Sequence, residues 1–133
     1  MVDASALAKY LLREEGWELV EGYLVKGVVS VDHVVKEVAN AIWKHVAVRR
    51  VIPRELGIEL LKALKKLVEE RVVVLESEDL YIEKGFEIAI SYGVTLYDAL
   101  YVAQALKHGE LLTSDEKQAE VAKVLGIEVH FVT

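Results

Sequence analysis

Short β-branched runs alternate with stretches of helical period along this chain, and that alternation admits few folds. Apolar strands are predicted near Met1 to Asp3, Val28 to Val31, Val72 to Leu75, Leu111 to Thr113 and Glu128 to Val132. The segments between them are long enough for crossover helices, so the pattern predicts an α/β fold with a mostly parallel sheet. No linker, repeat or low-complexity segment interrupts it. At 133 residues the chain is expected to form one domain spanning 1–133. An apolar fraction of 53% supplies a core that needs no disulfide or structural zinc.

The helical segments differ in how much of their surface is apolar. From Asp32 to Val46, the residues Val34, Val38, Ile42 and Val46 recur every four positions, and Val35, Ala39 and Trp43 widen the stripe. At about 100° per residue, Glu37 and Lys44 fall on one margin of that stripe, where a side chain can look into a cleft. A second helix is predicted to start at Pro53 and to turn Leu60, Leu61, Leu64, Leu67 and Val68 inward. Another begins near Asp79 and stops at Gly93. Leu96 to Lys107 is apolar around nearly its whole circumference and should be buried, with Tyr97 and Tyr101 packed along it. Ala4 to Leu12, carrying Leu7, Tyr10, Leu11 and Leu12, reads as core rather than as a docking groove.

Acids punctuate this apolar frame at informative places. Asp3 and Asp115 each follow a predicted strand, and Asp98 stands near the start of the most apolar helix. An isolated ionised Asp98 there would carry a desolvation cost of several kcal/mol unless paired, protonated or bound to a cation. A plainer reading is helix capping. Thr95 and Asp98 have capping-box spacing, Asp3 and Asp115 suit N-caps, and Asp32 and Asp79 also stand at helix starts. Topology favours a second role, because ligands of open α/β sheets collect beyond the strands' carboxyl ends. If Asp3, Glu37, Asp98 and Asp115 meet there, their mutual repulsion raises their pKa values unless a cation intervenes, and oxygen ligands suit Mg²⁺ or Mn²⁺.

Composition excludes other chemistry. There is no cysteine, which removes disulfides, thiolate zinc sites and thiol nucleophiles, and the four histidines show no ligand pairing. No apolar run approaches the roughly 18 residues of a membrane span, and the N-terminus lacks a signal-peptide pattern, so a cytoplasmic location is expected. One Asn, two Gln and 29% charged residues fit a thermophile. The net charge of −6 argues against broad nonspecific nucleic-acid binding but not against a local basic rim. Lys44, Arg49, Arg50 and Arg54, beside Trp43, form the densest basic stretch; it is either solvated charge or a set of RNA-phosphate contacts. No Walker loop, dinucleotide fingerprint or nucleophile elbow occurs.

Four segments taken in order carry a resemblance: Val2-Asp3-Ala4-Ser5, Glu37-Val38-Ala39-Asn40-Ala41, Thr95-Leu96-Tyr97-Asp98-Ala99-Leu100-Tyr101-Val102-Ala103 and Leu111-Leu112-Thr113-Ser114-Asp115-Glu116-Lys117. From end to end the chain resembles a PIN domain, and specifically the VapC-type toxins of prokaryotic toxin-antitoxin pairs. The resemblance implies a three-layer α/β/α fold whose five-stranded parallel sheet has the order 3-2-1-4-5. It implies a Mg²⁺- or Mn²⁺-dependent endoribonuclease, a homodimer or larger assembly, and a VapB-like antitoxin that enters the active-site groove. Asp3, Glu37, Asp98 and Asp115 match the acidic quartet, with Ser5, Thr95 and Ser114 as supporting polar positions. Asp3 lies closer to the start than the family's pattern, so the chain is expected to begin late in its first strand.

Alternatives follow from the same residues. An idle PIN fold serving as a binding module and a solitary RNA-processing nuclease share every motif above. A haloacid-dehalogenase-type phosphatase needs Asp-x-Asp, and Ser5 occupies the second acid's place. A receiver domain needs an aspartate after the third strand, which here ends Leu75-Glu76-Ser77.

Overall fold

The computed structural model describes residues 1–133. Two pairs of parallel strands form its centre. Strand β1 (Val28–Val31) pairs with β2 (Val73–Glu76), Val28 opposite Val73, and β3 (Glu110–Thr113) pairs with β4 (Glu128–Phe131), Glu110 opposite Glu128. Residues 1–3 lie between the pairs. The Val2 N–H donates to the Val29 carbonyl at 2.9 Å, Val2 forms a parallel bridge with Leu112, and the Leu112 N–H donates to the Met1 carbonyl at 2.9 Å. The Ser30 hydroxyl, fully buried, adds a 2.7 Å bond to the Val2 carbonyl. The structure therefore holds four strands in two sheets, and the predicted first strand is reduced to a single bridge. The cause is local: Asp3 already caps the first helix, which leaves too few extended residues for a ladder.

Seven α-helices surround the strands: α1 (Ala4–Leu11), α2 (Trp17–Val25), α3 (Val34–Trp43), α4 (Arg54–Glu69), α5 (Ile82–Tyr92), α6 (Leu96–His108) and α7 (Glu116–Val124). The core contains Leu7, Val20, Val31, Val38, Leu64, Val73, Tyr101 and Leu111, all with no exposed surface. Full burial of each aliphatic side chain contributes about 1.5–3 kcal/mol relative to exposure. Helix α6 is the most buried, with Ala99 through Ala105 all inside, as its apolar circumference predicts. Helix α5 lies close against it at Gly85, where a Cβ would come within 3.1 Å of Leu100 Cδ2. Gly93 ends α5 with a left-handed φ of 66°, a conformation glycine adopts without steric cost.

Several local expectations need correction. Helix α2 lacked a readable stripe, because only Val20 and Leu24 are buried while Leu19 and Val25 are exposed. The helix predicted to run to Val46 ends at Trp43 and continues as a π-helical turn, Lys44–Val48, which turns Trp43 to solvent at 54% exposure. Pro53 is the extended cap residue before α4, not its first turn. On α4 Leu64 is buried and Leu60 and Leu67 half-buried, but Leu61 faces outward. Helix α1 buries Leu7 and Leu11, whereas Tyr10 and Leu12 line an open groove of about 540 Å³ against α4, so this helix is both core and groove wall.

The capping aspartates divide. Asp3 and Asp115 cap α1 and α7, but Asp32 accepts from the Glu78 N–H instead, and the N–H of Asp79 is capped by Ser77. At the end of β2, Glu76 accepts hydrogen bonds from Tyr81, Gln104 and His108. Burial works to raise its pKa, yet those three donors and the His108 charge outweigh it and hold the carboxyl down at about 2. No helix is long and apolar enough to cross a membrane.

Candidate active site

A cleft of about 470 Å³ opens beyond the carboxyl ends of the strands, between the first turns of α1, α6 and α7 and the polar margin of α3. Glu37, Asp98 and Asp115 line it, with Lys36 and Lys44 on the α3 side and Tyr97 at the α6 side. Asp3 lies beneath, fully buried. The fold thus carries the four acids, far apart in sequence, to one place. The Asp115 charge is near enough to Asp98 and to Asp3 to make the ionisation of each costlier. No three of the four bring their oxygens all within 4.8 Å of one another. The three side chains that do so are Glu110, Glu128 and His130, at the opposite ends of β3 and β4.

Asp3 is held by a dense set of donors. Its Oδ1 accepts from the Ser5 hydroxyl at 2.8 Å and the Ala6 N–H at 3.0 Å, and its Oδ2 accepts from the Thr113 hydroxyl. Burial pushes its pKa up, these donors pull it down, the Asp115 charge pushes it up again, and the balance is about 6. Ser5 also accepts from the Ser114 N–H at 2.9 Å, and Thr113 accepts from the Asp115 N–H at 2.9 Å, so one hydroxyl network ties the start of α1 to the loop after β3. The Ser114 hydroxyl itself is buried without a partner; its backbone makes the contact. Thr95 caps α6 by accepting from the Asp98 N–H at 3.2 Å.

The other three acids share a pattern. Glu37 Oε1 accepts from the Tyr101 hydroxyl and lies 3.1 Å from His33 Nε2, off the line of a ring N–H bond. Asp98 Oδ1 accepts from the Gln118 side-chain amide at 3.2 Å, and Asp115 Oδ1 accepts from the Gln118 backbone N–H at 3.0 Å. In each carboxylate the second oxygen has no partner in the protein. Burial raises the pKa of Glu37, but its contacts with His33 and Tyr101 outweigh that and leave it below the usual range. Asp98 is raised, by burial first and then by the charges of Asp115 and Glu37, against the pull of Gln118 and Thr95.

Tyr101→Phe tests this support directly. Tyr101 has no exposed surface and donates to an ionised Glu37, and such bonds contribute about 1.5–3 kcal/mol. The variant is expected to unfold at lower denaturant by that amount, with a raised Glu37 pKa readable by NMR titration. Unchanged stability and titration would mean that the hydroxyl does not hold Glu37.

Four residues of this site were not assigned from sequence. Thr113 sits inside a quoted motif, but only the fold shows it bridging Asp3 and Asp115. Gln118 is one turn after Asp115, a spacing that can mark it. His33, whose ring is tilted 34° against that of Tyr101 at 4.6 Å between centroids, had no signal beyond its place before Glu37. Tyr101 faces the site, while Tyr97, expected to pack along its helix, is 63% exposed at the cleft. Of the basic stretch, Lys44 lines the cleft; Arg49 and Arg50 are exposed but do not line it.

Parallel strands with acids gathered beyond their carboxyl ends, on the first turns of three helices and one helix margin, define a class of α/β domain with a charged cleft at the strand ends. The PIN domain pattern matches residues 1–124, and the chain belongs to the PIN domain family. Within that family its likeness is to the VapC type: it is 38% identical over 123 residues to a protein named Ribonuclease VapC3 from Pyrobaculum aerophilum, covering 90% of this chain and 92% of that one.

Proposed function

We propose that this protein is a metal-dependent endoribonuclease, the toxin of a VapBC-type pair, that hydrolyses RNA phosphodiester bonds at the cleft. The observation that carries the reading is that Glu37, Asp98 and Asp115 each anchor one oxygen on the protein and leave the other free at a common opening. An all-oxygen donor set suits a hard divalent cation, and Mg²⁺, which keeps several waters and takes only one or two carboxylates directly, suits oxygens that stand apart. Asp3, Glu37, Asp98 and Asp115 would hold Mg²⁺ or Mn²⁺, which when bound activates water and stabilises charge on the scissile phosphate.

The chain's own residues supply the remaining parts. Ser5 and Thr113 fix Asp3, Tyr101 and His33 fix Glu37, and the α6 cap at Thr95 sets where Asp98 points. Asp98 or Asp115 orients the attacking water. Lys36 and Lys44 face the cleft as phosphate contacts, with Arg49 and Arg50 serving RNA farther from the cut. Tyr97, exposed at the edge, offers a ring on which an unpaired base can stack, which favours single-stranded or loop RNA. The hydrogen bonds of residues 1–3, from the Val2 N–H to Val29 and between Met1, Asp3 and Leu112, support the strand order 3-2-1-4-5 in a single domain. By kinship with the VapC-named relative, a VapB-like antitoxin, a homodimer or larger assembly and a cytoplasmic location belong to the same proposal.

A mixed single-stranded RNA panel, incubated with antitoxin-free protein and Mg²⁺ or Mn²⁺, tests the proposal. Cleavage that stops on addition of EDTA is expected. Folded protein that binds RNA but cuts nothing with either metal would replace the nuclease with an idle PIN-fold binding module.

A further inference from the structure

We propose that Gln118 is a positioning residue that sets Asp98 and Asp115 for metal binding, using its side chain for one and its backbone for the other. The inference rests on the nuclease reading above. Gln118 is 4% exposed, sits in the first turns of α7 and forms part of the cleft wall. Its side-chain amide donates to Asp98 Oδ1 at 3.2 Å, and its backbone N–H donates to Asp115 Oδ1 at 3.0 Å. No other residue hydrogen-bonds to both of these carboxylates.

A neutral donor is the right group for this place. Two carboxylates that face one cation repel each other when it is absent, and a lysine or arginine between them would neutralise the charge that draws the cation in. An amide N–H holds each carboxylate by one oxygen, keeps its charge, and leaves the other oxygen for the ion or its waters. The amide orientation follows from the same logic, since turning it over would set its carbonyl oxygen against an ionised Asp98. A second observation points to a bound species. The carbonyl oxygen of Gln118 is buried and has no partner, although buried amides are nearly always satisfied. A water on a bound cation would supply the donor that this oxygen lacks.

Mn²⁺ affinity, read by calorimetry or by the electron paramagnetic resonance of free Mn²⁺, separates this from a packing role. RNA cleavage and the melting temperature of EDTA-treated protein are measured beside it, on wild type, Gln118→Met, Asp98→Asn and the double variant. Gln118→Met keeps the side chain's length without its hydrogen bonds. It is expected to weaken Mn²⁺ binding by about 10-fold or more and to lower kcat similarly, as loss of an outer partner of a metal site does. The melting temperature should hold, and the same substitution in the Asp98→Asn background should weaken Mn²⁺ binding much less. Wild-type affinity and kcat in folded Gln118→Met would overturn the proposal, as would an undiminished effect in the Asp98→Asn background. Should Gln118→Met not fold, Gln118→Asn, whose amide is too short to reach Asp98, carries the same expectations. A wild-type protein that neither binds Mn²⁺ nor cuts RNA would instead overturn the nuclease reading, and this inference with it.

Discussion

Asp98→Asn is expected to lose RNA cleavage by more than about 100-fold while melting at or above the wild-type temperature. The magnitude exceeds the roughly 10–100-fold that loss of an outer partner costs, because under the proposed function the variant removes a side chain that would face the cation itself. The stability has a separate cause. Asparagine keeps the shape of the side chain and an oxygen for the Gln118 amide, and the Thr95 cap uses only the backbone N–H of residue 98. What disappears is one of the charges that Asp115 and Glu37 oppose across the cleft. Asp115→Asn should behave alike, since asparagine caps a helix as well as aspartate does. Single-turnover cleavage and thermal melting of the same preparations decide the matter. Near wild-type cutting by both variants would move the chemistry away from this cleft.

Asp3→Asn is expected to stabilise the metal-free protein at neutral pH. The folded pKa of about 6 lies above the unfolded value of 3.8, so the folded state binds its proton more tightly. The stability that this group contributes is complete below pH 3.8, declines as pH rises toward 6 and is gone above it. A shift of about two units corresponds to about 3 kcal/mol. Urea unfolding of EDTA-treated wild type should show that decline between pH 4 and pH 6, and Asp3→Asn should flatten it, gaining up to about 3 kcal/mol at pH 7 with no gain near pH 3. Glu76 acts in the opposite direction at lower pH: its pKa of about 2 gives stability that is present above 4.5 and lost as pH falls through 2. Parallel pH curves for wild type and Asp3→Asn would show that Asp3 is not buried as a charge. Loss of metal binding in the same variant is the outcome expected under the proposed function, in which an acid that weakens the empty protein would be kept for binding the ion.

The parts of this architecture that repeat were legible in the sequence, and the parts made by one contact were not. Periodicity placed α3 and α6 because each carries many apolar residues in register, and β-branched runs placed β1 to β4. Helix α2 escaped because two buried residues make no stripe. The opening segment was readable as extended chain, but whether three residues make a strand or a bridge depends on neighbours more than 20 residues away. Asp3, Glu37, Asp98 and Asp115 could be named from their local settings and family motifs, whereas their support could not. Thr113, Tyr101 and Gln118 are ordinary residues in ordinary helical or strand settings until the fold brings an acid to each. Asp32 and Asp79 show the converse: at positions that look like helix caps, the Asp32 carboxylate instead accepts from the Glu78 N–H, and Asp79 is itself capped by Ser77.

The bond between Thr113 and Asp3 spans 110 residues and forms only when these two distant segments meet. During synthesis the amino-terminal residues leave the ribosome first, and Asp3 then has neither Thr113 nor Asp115 to complete its surroundings. A nascent chain that stops short of β3 has Glu37 and the α1 turn but not the Thr113 hydroxyl, the Ser114 N–H or Asp115. The order of the elements thus delays assembly: a cleft built this way stays incomplete until β3 and the first turn of α7 have been made, however early α1 and α3 have formed.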